Sequence, residues 1–295
     1  MKEQIKKIAV IGLIVLLGGY GLSAQTRRHH KVRFKRNEVM LCGGGGLSSL
    51  QYKVNVGKQA MGFGGQIGFG YNFFFIPQLS LGTGLDFALY TASFTMAGSN
   101  LSYMTTDIEN NPFEFRSKMS DYKENQTVVM LQVPLMVQFQ TGKKHKFYFA
   151  LGGKVGLPLS AKYNSSKTTI QNSGYYAEED YEYTTQTFMG FGTFRGSSGD
   201  LSFKLAIFAS AEIGAKIIMN DGYSLYTGVF VDYGLTNIAN QPSEPLPFHQ
   251  YNREHPSDFA VNSIITSQYS QSGNTQSFTD NVVPLAGGIK LKLAF

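Results

Sequence analysis

From Val39 to Phe295 the sequence alternates apolar and polar residues in segments joined by connections that are short and long in turn. A period of two places successive side chains on opposite faces of a strand. On that pattern, strands are expected at Val39–Gln51, Gly62–Phe75, Leu79–Thr91, Thr127–Gln140, Lys146–Leu159, Leu201–Met219, Tyr223–Leu235 and Val283–Phe295. Three connections are tight and carry turn residues: Ile76-Pro77-Gln78, Thr141-Gly142-Lys143-Lys144-His145 and Asn220-Asp221-Gly222. The other four cover Tyr52–Met61, Ala92–Gln126, Ser160–Asp200 and Thr236–Val282, and three of these exceed what compact domains ordinarily use. Short turns on one rim and long loops on the other are the build of a membrane-spanning barrel. The expected fold is therefore all-β: an eight-stranded antiparallel up-and-down transmembrane β-barrel with short periplasmic turns and long extracellular loops.

The faces of the strands give a separate test. In the last segment Leu285, Gly287, Ile289, Leu291, Leu293 and Phe295 share one face, and Ala286, Gly288, Lys290, Lys292 and Ala294 share the other. The same division sets Asp86 against Leu85 and Phe87, and Lys154 against Val155. It also sets Lys204, Glu212 and Lys216 against Leu205, Ile213 and Ile217, and Asp232 against Val231 and Tyr233. A soluble sandwich would bury the apolar face and wet the polar one, and alternation alone does not exclude it. The polar face, however, also carries Gly64, Gly68, Gly82, Gly152, Gly214, Gly228 and Gly288, which suit a narrow barrel interior. Aromatic residues near strand ends, among them Tyr71, Phe75, Phe139, Phe147, Tyr223 and Tyr233, fit interfacial girdles. Buried charges must pair or meet water. Asp86, Lys154, Lys204, Glu212, Lys216, Asp232, Lys290 and Lys292 are therefore expected to form a polar network inside the barrel, plugging it.

The N-terminus predicts export. Lys2, Lys6 and Lys7 precede an apolar run from Ile8 to Leu17, and Ser23 and Ala24 are small enough for signal cleavage before Gln25. Residues 1–24 are read as a signal peptide, 25–37 as a basic periplasmic arm and 38–295 as the barrel. The arm holds Arg27, Arg28, Lys31, Arg33, Lys35 and Arg36, a large share of the chain's net charge of +6, and reads as a solvated tail. Later apolar runs are too short for a spanning helix. Cys42 is the only cysteine, which excludes an internal disulfide framework and a multi-cysteine metal site.

Several of these residues carry a resemblance. The signal ending Leu22-Ser23-Ala24-Gln25, the first strand with Gly43-Gly44-Gly45-Gly46-Leu47-Ser48-Ser49-Leu50, and Leu131-Gln132-Val133-Pro134-Leu135 resemble the outer-membrane β-barrel family common in Bacteroidetes, the PorT-like family. Phe295, with Leu293, Leu291 and Ile289 at alternate positions before it, resembles the C-terminal signal read by the barrel-assembly machinery. The resemblance implies location in the outer membrane, with its bilayer and lipopolysaccharide leaflet as surroundings. It implies little about activity, although one kind of member assists a secretion system.

Catalytic options are few. His29 and His30 lie in the basic arm, His145 in a turn, and His249 and His255 in the fourth long loop, so no expected strand carries the base a wall-mounted serine hydrolase needs. His249-Gln250-Tyr251-Asn252-Arg253-Glu254-His255 offers two imidazoles and a carboxylate to a metal. Pro242, Pro245, Pro247 and Pro256 surround it, and the stretch is expected to be solvated loop. A rim protease would pair His249 or His255 with Glu178, Glu179 or Asp180. Gly43 to Gly46 lacks the Lys-Ser/Thr and helix of a phosphate loop, and Cys42 is expected to pack inward. The third long loop holds Tyr175, Tyr176, Tyr181 and Tyr183 among Glu178, Glu179, Asp180 and Glu182, an adaptable contact surface.

The leading expectation is a non-enzymatic barrel presenting surface loops for envelope integrity or for an unidentified ligand or partner protein. A narrow small-solute channel comes second, and an envelope enzyme or secretion accessory third. No cofactor, no metal and no nucleic-acid partner is expected.

Overall fold

The computed structural model describes residues 35–54, 56–142, 145–184, 191–220, 222–240, 246–256, 258–271 and 274–295. The proposed signal peptide and all of the basic arm before Lys35 lie outside them. The strands in chain order are β1 (Asn37–Gln51), β2 (Lys58–Ile76), β3 (Leu79–Thr106), β4 (Pro112–Gly142), β5 (His145–Ser165), β6 (Thr168–Tyr176), β7 (Tyr181–Tyr183) and β8 (Phe191–Phe194). They continue with β9 (Ser198–Asp200), β10 (Ala206–Asn220), β11 (Tyr223–Gly234), β12 (His249–Gln250), β13 (Ala260–Val261), β14 (Gln268–Gln271), β15 (Asn274–Ser277) and β16 (Val283–Ala294).

Eight of these strands close on themselves. The order β1-β2-β3-β4-β5-β10-β11-β16 returns from β16 to β1, and every neighbouring pair is antiparallel. Closure leaves no unpaired sheet edge. At the β1–β16 seam the backbones come so close that a Cβ on Gly46 would collide with the Gly287 carbonyl, and one on Gly288 with the Gly45 carbonyl. Glycine is required there by contact.

The outer wall of the ring is apolar and open. Phe63 is 77 % exposed, Phe147 71 % and Ile289 62 %, and Leu81, Leu85, Phe87 and Leu89 of β3 and Val133, Leu135, Val137 and Phe139 of β4 extend the same belt. An apolar surface of that extent is not stable in water and calls for lipid or a partner.

Beyond the ring, on the side of the long connections, the chain forms a folded cap rather than solvated loops. The expected loop Ala92–Gln126 is the outer part of a β3–β4 hairpin, paired as far as Thr106 and Pro112. From the expected loop Ser160–Asp200, β6 and β9 pair with β4 and β5, and β7 and β8 pair with β6. The connection expected at Thr236–Val282 buries Ile238, Phe248, Ile264, Ile265, Phe278 and Val282, each at most 1 % exposed. These side chains share one core with Phe94 and Tyr122 of the hairpin and with Tyr90, Met130 and Phe208 inside the ring. Aromatic contacts tie the parts together: Phe94–Tyr122 at 6.4 Å, Tyr122–Phe248 at 5.0 Å and Phe248–Phe278 at 5.1 Å. Fully burying one such side chain contributes roughly 1.5–3 kcal/mol.

Candidate functional site

Two polar constellations stand out, one inside the ring and one in the cap. Inside the ring, alternation points even-numbered residues of β3, β5, β10, β11 and β16 inward, where Asp86, Lys154, Glu212, Lys216, Asp232, Lys290 and Lys292 are all buried. Lys154 Nζ lies 2.7 Å from Asp232 Oδ2, 3.2 Å from Gln66 Oε1 and 4.0 Å from Asp86 Oδ2. Lys290 Nζ bridges Asp86 at 3.9 Å and Glu212 at 3.7 Å, and Lys292 Nζ meets Glu212 at 2.6 Å. Tyr148 donates its hydroxyl to Glu212 at 2.6 Å. The result is an unbroken alternation, Lys292–Glu212–Lys290–Asp86–Lys154–Asp232, climbing the lumen.

Two residues change the expected set. Lys204 is exposed, because β10 begins at Ala206 and not at Leu201, and the residues before it belong to the cap; the Lys204 amide donates to the Ile238 carbonyl at 2.7 Å. Glu38, not among the expected residues, is buried at the short-turn end. It pairs with Lys216 and accepts the Tyr226 hydroxyl at 2.6 Å. It continues the inward parity of Met40 and Cys42, a signal hidden by the neighbouring basic run. With Glu38 in and Lys204 out, four carboxylates face four ammonium groups. Such pairing offsets the desolvation that an isolated buried charge would suffer.

Space in the lumen is small. A cavity of about 40 Å³ lies among Cys42, Asp86, Gln138, Lys154, Glu212 and Lys292, enough for a few waters. Ser210 Oγ, buried on β10, has no protein hydrogen-bond partner. Above the charges, Tyr90 stacks on Phe208 at 6.0 Å and accepts from Gln132 Nε2 at 2.7 Å. The apolar core of the cap begins there.

In the cap, Glu124 is fully buried and accepts four hydrogen bonds: from Tyr122 Oη at 2.8 Å, Gln126 Nε2 at 2.8 Å, Ser263 Oγ at 2.6 Å and the Ile264 amide at 3.1 Å. Two of the donors belong to the 236–282 connection, so this carboxylate fastens that segment to β4. Burial pushes its pKa up, against the pull of those hydrogen bonds. His249, expected in a solvated loop, is instead 2 % exposed. Its Nδ1 lies 2.5 Å from Ser117 Oγ, and its ring packs on Phe115 at 5.5 Å and Phe259 at 4.6 Å. Burial pushes its pKa down to about 3. A hydroxyl beside an imidazole has the makings of a nucleophile and base; here Ser117, like His249, is only 2 % exposed.

The other candidates stay apart. His255 is exposed. Asp180 accepts from Tyr175 at 2.7 Å and Glu179 from Tyr183 at 2.6 Å, all within the β6–β7 hairpin. Among the described residues no three His, Cys, Asp or Glu side chains gather as a metal site. Cys42 is a free, buried thiol. Ile289, Leu291 and Phe295 are exposed on the outer wall, with Leu293 partly so.

Compared with known families, the chain matches the model of the outer membrane protein beta-barrel domain over residues 23–240. No curated protein sequence matches it. Among solved structures, the crystal structure of a Pseudomonas aeruginosa FadL homologue aligns with 88 % of this chain and 90 % of that chain, at 8 % identity and a TM-score of 0.17. That likeness is too slight to carry an argument.

Proposed function

The chain belongs to the outer membrane protein beta-barrel domain family, and from that premise we propose that it is a non-enzymatic outer-membrane protein whose working surface is its cap. In this reading the apolar belt sits in the bilayer, the short turns face the periplasm and the cap faces the outside. Residues 1–24 direct export, and Ile289, Leu291, Leu293 and Phe295 are read by the barrel-assembly machinery. The PorT-like resemblance of the first and fourth strands belongs to the same reading. The observation that carries it is the lumen: a charge-balanced ladder from Glu38 to Asp232, closed above by Tyr90, Phe208 and the apolar core of the cap. A molecule blocked in this way has its contact chemistry outside, where Tyr175, Tyr181 and Tyr183 stand among carboxylates on the β6–β7 hairpin.

A narrow solute path is the second reading, favoured by the polar cavity beside Asp86, Lys154 and Glu212. Single-channel conductance of the mature protein in a planar bilayer separates the two. Silence in the wild type, Lys290→Ala and Glu212→Ala is the expected result. Steady conductance altered by either substitution would move the function into the lumen.

A further inference from the structure

The eight-stranded ring has no open edge, but the cap keeps a long one. Pairing between β2 and β3 ends at Lys58 and Thr95, while pairing between β3 and β4 runs on to Thr106 and Pro112. The chain enters β2 through a turn at Gly57, whose φ is 84°, and an open recess of about 580 Å³ there is lined by Met96, Ala97 and Gly98. From Met96 to Thr106, β3 therefore has β4 on one side and, among the described residues, no paired strand on the other. The β14–β15 hairpin approaches β3 without pairing with it.

The register shows which groups are free. In an antiparallel ladder alternate residues turn both N–H and C=O toward the same neighbour. The Asp107 amide donates to the Asn111 carbonyl at 3.1 Å, which continues the outer β3–β4 ladder on odd-numbered residues. Gly98, Asn100, Ser102, Met104 and Thr106 then direct their main-chain groups away from β4. Their side chains share the outer face, where Asn100 is exposed and Met104 is 66 % exposed. The odd-numbered side chains face the cap, because Ala97 and Asp121 pair with nothing and shift the alternation by one. Leu101 packs against the cap core. Tyr103 accepts from the Tyr251 amide at 2.8 Å and lies 5.5 Å from the Phe115 ring. Both are only half-buried.

Sheet edges are ordinarily blunted by shortness, by lysine or by proline. The outermost cap strands β7, β8 and β9 are three, four and three residues long. The β3 edge has none of these devices: Met96 to Thr106 contains no charged residue and no proline, although β4 opposite carries Glu114, Arg116 and Lys118. Unpaired main-chain groups in a row select a strand as their partner, and the side chains beside them select its pattern. A residue placed beside Asn100 or Ser102 meets solvent, and one beside Leu101 or Tyr103 meets the half-covered rim of the core.

We infer that the β3 edge from Gly98 to Thr106 binds an extended segment of another protein as an added antiparallel strand, with uncharged polar residues outward and apolar residues beside Leu101 and Tyr103. The inference deepens the reading of the cap as the working surface, and rests on that reading for where the partner is found. Copies of this chain in one membrane are related by rotation about its normal. Two β3 strands that both rise from their rings therefore do not offer each other an antiparallel edge.

The test uses the mature chain folded in detergent, with folding checked by heat-dependent electrophoretic mobility, and a fluorescent nine-residue peptide alternating threonine and valine. The peptide should bind, and replacing its valines by glutamate should abolish binding. Its outward threonines carry the amides that face β3. Methylating those amides should weaken binding at least about tenfold, whereas methylating the valine amides should change it less than about threefold. Asn100→Pro removes a free-side N–H without touching the β4 ladder and should also cost about tenfold. The methylated peptides keep the assay informative if that variant does not fold. No binding of the unmodified peptide, equal losses from the two methylations, or unchanged affinity of Asn100→Pro would overturn the inference. So would a dimer in detergent that Asn100→Pro splits, which would give the edge to a second copy. Whole-cell labelling of Glu178→Cys with a membrane-impermeant maleimide tests the orientation separately, since Cys42 is buried. Labelling without peptide binding sinks the inference alone, whereas peptide binding without labelling upholds the edge and sinks the proposed orientation.

Discussion

Lowering the pH from 8 to 5 should loosen the cap by about 2 kcal/mol through His249 alone. The imidazole is 2 % exposed, its Nδ1 is taken by Ser117, and its Nε2 has no protein partner. Nothing around it is anionic enough to welcome a proton, and burial sets its pKa at about 3, against 6.5 for an unperturbed histidine. The folded-state value lies below the unfolded one, so the unfolded chain protonates first. Stability is complete above about pH 6.5 and declines as the pH falls, levelling off only where the folded state also takes the proton, near pH 3. At pH 5 the unfolded imidazole is almost fully charged and the folded one neutral, which gives about 2 kcal/mol; at pH 3 the loss is about 4 kcal/mol, nearing its limit of about 5 kcal/mol only below that. Glu124 acts in the opposite sense. Its raised pKa makes the folded cap take up a proton before the unfolded chain does, adding stability as the pH falls through that value. A double variant, His249→Phe with Ser117→Ala, removes the imidazole and its hydroxyl partner while leaving Glu124 in place. The difference between wild type and variant is then the histidine contribution. Amide hydrogen exchange over 246–268, corrected for intrinsic rates and followed from pH 8 to pH 5, reads the opening free energy. The wild type should lose about 2 kcal/mol more than the variant over that range. Parallel pH profiles would show that His249 is not held neutral in an apolar site and would refute the reasoning.

Two further substitutions probe the ring. Glu212→Gln takes away the carboxylate shared by Lys292, Lys290 and Tyr148. It should cost about 3–5 kcal/mol, because an ammonium is left buried without its counterion. The drop appears as an earlier midpoint in urea unfolding from detergent, and a change below about 1 kcal/mol would mean that water replaces the lost partner. Gly288→Ala drives a methyl into the Gly45 carbonyl where β1 meets β16. Refolding should then yield little of the compact species seen on unheated gels, while a normal yield would show that the seam has slack.

The ring was readable because its two faces meet different surroundings. Leu285, Ile289 and Leu291 look outward while Lys290 and Lys292 look inward, and a period of two survives wherever that contrast holds. Beyond the belt its sense inverts. There the outward residues of β3 are Thr91, Ser93 and Thr95 and the buried ones Ala92, Phe94 and Met96, so a reading that looks for an apolar outer face ends the strand too early. The 236–282 segment has no periodicity to find. Phe248, Ile264 and Phe278 are buried by contacts with distant parts of the chain, and the prolines around His249 resemble those of an open loop. Lys204 was misplaced for a related reason, since strand parity was carried across a boundary where the chain leaves the ring. Glu38 was missed at the other end, one step before the expected start of the first strand. These failures share a cause: a pattern reports the surroundings of a strand, while the cap is made by packing between segments far apart in sequence. Correcting the two positions also changes the physics. With Lys204 inside and Glu38 outside, the lumen would hold five cations against three anions, a surplus suited to drawing in an anion. With both placed as the structure has them, the charges cancel. A lumen whose charges cancel has no surplus with which to draw in an ion.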